Sequence, residues 1–170
     1  MPAASIAAEG KAMHRIRKSI EIKAPPERVY DFVTQPTNYL NIMPGMVEVS
    51  NVARRSDGSH EFDWVYKMAG LHFKGHSKSE ETQPKKLSRT RNEGGIASTF
   101  TWTFEGMGAS GTKLAVDVEY TIPTPVIGRL AEALVARMNE RELSVTLENL
   151  KEMVESAAGP AVTADAPRAP

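Results

Sequence analysis

Between His60 and Ile122, large apolar side chains alternate with polar ones through four consecutive segments. His60, Phe62, Trp64, Tyr66 and Met68 share one face of the first segment, and Ile96, Phe100, Trp102 and Phe104 one face of another. Leu114, Val116, Val118, Tyr120 and Ile122 follow on the last. Between them, Leu71 to Thr82 alternates Leu71, Phe73, Gly75 and Ser77 against His72, Lys74, His76 and Lys78. A period of two marks half-buried antiparallel strands, whose successive side chains point to opposite sides. An apolar face this wide needs a cover.

Breaks in the pattern place the other elements. The β-branched stretch Arg15 to Lys23, stopped by Pro25-Pro26, reads as a first strand. Pro26 and Glu27 suit the first turn of a helix carrying Val29, Tyr30, Phe32 and Val33, which Pro36 ends. Tyr39 to Met43 reads as a second short helix, Met46 to Arg54 as a strand, and Asp57-Gly58 as the turn into the aromatic strand. Gly70, Pro84-Lys85, Gly94-Gly95 and the GMGASG loop at Gly106 to Gly111 separate the strands that follow, which include Leu87 to Arg91. The result is an antiparallel meander.

The cover is a long C-terminal helix, Val126 to Glu155. At about 100° per residue, Ile127, Leu130, Ala131, Leu134 and Met138 form one stripe, and Leu143, Leu147, Leu150 and Val154 form another roughly 150° round. The stripes change over at the charged run Arg137 to Glu142, which predicts a bend or a new packing partner there. A straight helix of this length spans ~45 Å, so one half is expected to lie on the sheet while the other closes an opening.

Composition narrows the function. Lysine plus arginine equals aspartate plus glutamate at 21 each, so no net field draws the chain to nucleic acid or to an anionic membrane, and neither partner is favoured. Without cysteine, disulfides, thiolate catalysis and thiolate metal sites are excluded. His72 and His76 stand about 13 Å apart on one strand, too far to share an ion, and lysines flank them; no metal or cofactor is expected. Residues 1–13, alanine-rich with Glu9 and Lys11, read as a flexible arm, and residues 157–170, rich in alanine and proline, as a disordered tail. The domain is then 14–156. Neither a secretory signal nor an integral membrane segment is read, which points to the cytoplasm.

The order strand, two helices, meander and long helix resembles the helix-grip fold of the START/SRPBCC superfamily, which includes proteins named polyketide cyclase/dehydrase. SIEIKAPPERVYDFV resembles the opening strand and first helix of that superfamily, and GTKLAVDVEYTIP its last strand. The resemblance spans Arg15 to Glu155. It implies an α+β fold: a curved antiparallel sheet of about seven strands wrapped on the long helix, with an apolar cavity between them for a lipid, sterol, quinone or polyketide.

Alternating aromatics by themselves read as core. The resemblance instead makes Phe62, Trp64, Tyr66, Phe73, Phe100, Trp102, Val118 and Tyr120 cavity wall on the sheet side, with Leu130, Leu134 and Met138 opposite. Arg89 and Arg91 share a face with Leu87, so an inward arginine either pairs with Glu93 or Glu105 or anchors a ligand carbonyl. His60, on the aromatic face at its strand's beginning, reads first as an exposed strand-end histidine and second, near the cavity mouth, as the one histidine suited to acid/base work. Three readings follow. The first is a carrier or sensor, monomeric or homodimeric, for a hydrophobic small molecule. The second is a cyclase or dehydratase using His60, Tyr66, Arg89 and Arg91, and the third a protein-interaction module with a filled cavity.

Overall fold

The computed structural model describes residues 13–157. The predicted arm and tail lie outside the described residues, apart from Met13, which opens the first strand, and Ala157, which ends the last helix.

Strand β1 (Met13–Ile22) leads into helix α1 (Pro26–Val33), a 3-10 turn (Pro36–Asn38) and helix α2 (Tyr39–Ile42). Six strands follow: β2 (Met46–Arg54), β3 (His60–Met68), β4 (Leu71–Gln83), β5 (Leu87–Gly94), β6 (Ser98–Met107) and β7 (Gly111–Thr121). The chain ends in a short helix α3 (Thr124–Ile127) and the long helix α4 (Arg129–Ala157). The sheet is seven-stranded and antiparallel, in the order β1-β7-β6-β5-β4-β3-β2. It is a meander closed on one side by β1 returning beside β7. Register shifts at Met46/Glu48, Ser50/Ala53 and Ser79/Glu81 are the irregularities by which such a sheet curves. This is a helix-grip fold.

The narrow end is filled. Leu147, Leu150 and Val154 of α4 are buried in one cluster with Val29 and Val33 of α1 and Leu114 and Val116 of β7. Tyr30 meets Phe104 edge-on at 5.3 Å between ring centroids. Polar ties fix the elements around this end. Thr112 donates to the Ala24 carbonyl at 2.7 Å, Asn149 to the Ile42 carbonyl at 3.0 Å, and Lys151 to the Glu21 carbonyl at 2.9 Å.

Two expectations about facing are corrected. The predicted helix is broken at Gly128 (φ 88°), and α4 then runs uninterrupted through Arg137 to Glu142. Its first apolar stripe faces out: Leu130 is fully exposed, and Leu134 and Met138 are 62% and 48% exposed. The inward line here is instead Glu132, Val135, Asn139, Glu142 and Thr146, in three- and four-residue steps toward Leu150, so it lies on the same face. Most of that line is polar because its side chains bond partners across the fold or face open space, and apolar periodicity alone therefore selected the wrong face.

The second correction concerns β5. Its register with β6 sets Ser88 opposite Trp102, Thr90 opposite Phe100 and Asn92 opposite Ser98. Opposed residues share a side of the sheet, so Ser88, Thr90 and Asn92 point inward while Arg89 and Arg91 point out. The arginines sit in ion pairs at the surface, Arg89 with Glu80 at 3.5 Å and Arg91 with Glu93 at 3.1 Å.

Candidate ligand cavity

At the wide end, the aromatic face of the sheet and the middle of α4 do not meet. A partly open cavity of about 130 Å³ lies between them. Phe62, Trp64 and Tyr66 of β3, Phe100 and Trp102 of β6, and Val118 and Tyr120 of β7 line it. The helix contributes Asn139, Glu142, Leu143 and Thr146; Met43 follows α2, and Met46 opens β2. Seven of the sheet positions expected on the wall are there. Phe73 is not: it is buried beside Gly95, off the cavity surface. Leu130, Leu134 and Met138 are displaced from the wall by the rotation of α4 described above.

One wall depends on a glycine. Trp64 is registered opposite Gly75, and a Cβ on Gly75 would stand 2.1 Å from the Trp64 ring and 2.5 Å from the Glu93 carbonyl oxygen. Only a residue without a side chain lets the indole lie across the neighbouring strand. Trp64 is thereby held flat on the wall, 5% exposed.

The cavity is apolar with a polar seam. Ser77 donates to the Asn92 amide oxygen, and the Asn92 amide donates to Ser98 Oγ at 3.0 Å. Beside this chain the Thr90 hydroxyl makes no hydrogen bond, and across the cavity neither does that of Thr146, although both residues are buried and line the space. These are two hydroxyls presented to whatever fills the cavity.

Glu142 ties the helix to the opposite wall. Its carboxylate accepts the Gly45 N–H at 2.5 Å and the Tyr66 hydroxyl. Burial, and then the neighbouring Glu142, push the Tyr66 phenol far above its ordinary range. Burial also raises Tyr120, against the opposing effect of its hydrogen bond with Asn139. Both phenols therefore stay protonated and act as hydrogen-bonding groups, not as bases. At the edge of the same wall His14, which sequence reasoning missed, stacks on Tyr120 at 5.5 Å and bonds Glu132 at 2.9 Å.

Of the residues considered for catalysis, only Tyr66 reaches the cavity. His60 is not at a mouth: it is buried behind Phe62, ring on ring at 6.0 Å, with Nε2 unpartnered and Nδ1 3.3 Å from Ser79 Oγ. Burial and then the Arg54 guanidinium hold its pKa below the ordinary imidazole range, so it is a neutral core residue. Arg89 and Arg91 lie on the outer face. Among the described residues, no cluster of His, Cys, Asp or Glu is arranged to hold a metal ion. No helix among them is long and apolar enough to cross a membrane.

Sequence comparison matches the family described as polyketide cyclase/dehydrase and lipid transport over residues 13–155. The chain belongs to this family. No curated protein matches it closely enough to count as a relative. Among solved structures, it is similar to TTHA0849 of Thermus thermophilus (23% identity, TM-score 0.74, covering 86% of this chain and 100% of that one). It is also similar to the Zhui aromatase/cyclase of Streptomyces sp. R1128 (17%, 0.72, 89% and 99%). A START superfamily protein of Mycobacterium smegmatis gives 19% identity, TM-score 0.70, and coverage of 85% and 99%. At these identities the likeness is one of fold.

Proposed function

We propose that the protein is a carrier or sensor that holds a hydrophobic small molecule in this cavity. The observation that carries the reading is the open apolar space itself, walled by aromatic rings and fitted with a few placed polar groups, which is the usual make-up of a small-molecule site. A core merely filled by its aromatics, as the interaction-module reading requires, would leave no such space. Its size restricts the occupant. A dry cavity of about 150 Å³ holds a benzene ring, whereas drug-sized ligands fill roughly 300–1,000 Å³. The enclosed part of the ligand is therefore one ring or a short chain. A larger molecule extends outward or displaces Met43 and Met46, the most adaptable side chains on the wall. A rigid sterol fits this less well than a quinone head, an acyl chain or a single aromatic unit.

The second reading is an enzyme acting on a ligand in the same cavity, as an aromatase/cyclase. It is favoured by one observation, the Glu142 carboxylate bonded to Tyr66 at the cavity wall, where a carboxylate is placed to accept a proton from an acidic C–H. The other three residues first considered for this role lie off the wall, which weighs for the carrier.

Trp64 and Trp102, the only two tryptophans, both line the cavity and report on its occupant. Saturable quenching or shift of their emission by a naphthol, a short-chain quinone or a fatty acid supports binding. Native mass spectrometry of protein purified from its own host is expected to retain a ligand. Recovery of the added compound unchanged identifies a carrier, and a changed mass that depends on Glu142 identifies the enzyme. Absence of any spectral response across these classes, with no retained mass, defeats both readings.

A further inference from the structure

The first half of α4 turns its apolar side chains away from the cavity. Leu130, Leu134 and Met138 follow one another at four-residue steps along α4, all three exposed. Residues so spaced are neighbours on a helix surface, so this is one stripe and not scattered exposure. Arg137 and Arg141 fall on the same side as Leu130 and Leu134 at 3.6 residues per turn. Neither arginine has an ion-pair partner among the described residues. The acids of this stretch are engaged elsewhere: Glu132 with His14, Glu140 with Lys18 at 3.7 Å, and Glu142 with Gly45. The outward face is left apolar and cationic.

We propose that this face docks on an anionic lipid bilayer. A second copy of the chain is a poor occupant, because three or four side chains fall far short of the roughly 20 residues a side that a stable dimer buries. A lipid surface accepts so narrow a stripe: leucines enter the acyl boundary while arginines reach the phosphates from the same helix. The unpaired guanidiniums supply the charge complementarity. Asn139 and Glu142, which line the cavity, point to the other side of the same turns, so the docking face and the cavity wall are separate surfaces of one helix. The balanced net charge of the chain gives no long-range attraction, and the two arginines act only within about a Debye length, ~10 Å at 0.1 M salt. The association is therefore weak, reversible and sensitive to salt.

The test is flotation of the full-length protein with phosphatidylcholine vesicles, with and without phosphatidylglycerol, at low and high salt. The parent should float with the anionic vesicles at low salt and stay behind with the zwitterionic ones. Leu130→Ser with Leu134→Ser should lower partitioning at least tenfold, and each of Arg137→Gln and Arg141→Gln about fivefold at low salt. These positions are exposed, so circular dichroism should report unchanged folding. Thr146→Leu, which narrows the cavity, should float like the parent, separating surface docking from capture of a lipid inside. Failure of the parent to float with anionic vesicles overturns the proposal, as does flotation that the leucine pair leaves intact. Self-association by light scattering that Leu130→Ser and Leu134→Ser abolish overturns it in favour of a second copy.

Discussion

Thr146→Leu tests the cavity most directly, because it fills space without enlarging the protein elsewhere. Thr146 is 2% exposed, sits on the inward line of α4 and leaves its hydroxyl unbonded beside the open volume. Two effects have the same sign. Leucine adds about one buried methyl group, ~0.8 kcal/mol. It is also the better helix former, by a few tenths of a kcal/mol. Together they give about 1 kcal/mol as an upper limit. For a domain near this size such a gain raises Tm by about 2–4 °C per kcal/mol. Urea unfolding followed by circular dichroism should show a higher midpoint at unchanged slope. Affinity for the cavity ligand should fall in the same variant, since the space is taken. A loss of about 1 kcal/mol or more would mean that Thr146 sits in a packed core with no room for a methyl group, and there would be no cavity for a ligand to enter.

Gly75→Ala forces a Cβ against the Trp64 ring and the Glu93 carbonyl, and should cost about 2–4 kcal/mol in thermal unfolding; wild-type stability would mean that Trp64 does not lie across β4. His60 is held below the ordinary imidazole pKa, so the unfolded chain binds its proton first. Its contribution is complete above the unfolded value near 6.5 and is lost as pH falls toward the folded pKa. His60→Phe should therefore flatten the pH dependence of stability below about 6.5, measured by denaturant unfolding across that range, and an unflattened profile would place the imidazole in water. Arg89→Leu and Arg91→Leu remove only exposed pairs, so each should shift stability by less than about 1 kcal/mol and leave ligand titrations unchanged. A loss of binding in either would return the arginines to the cavity.

Local chemistry wrote the framework into the chain. Proline and glycine positions mark the turns, period-two aromatics identify β3, β6 and β7, and the pattern of Leu143, Leu147, Leu150 and Val154 identifies the buried half of α4. These signals survive because each belongs to a face wholly inside, where apolar burial is the only requirement. The cavity broke the same rule. Along Glu132, Asn139, Glu142 and Thr146 the inward line is polar, since His14, Tyr120, Gly45 and Tyr66 reach across to engage the first three and the cavity stands before the fourth. Apolar periodicity consequently pointed to Leu130, Leu134 and Met138. On β5 a single leucine beside two arginines carries too little pattern to choose a face. The choice was made by hydrogen-bond register with β6, a long-range pairing that turned Thr90 and Asn92 inward. His60 was assigned by its place at a strand's beginning, but the sheet curves over it and buries it. Sequence decided which segments become strands and helices; packing between segments far apart in the chain decided where the apolar surface fails to close, and that gap is the site.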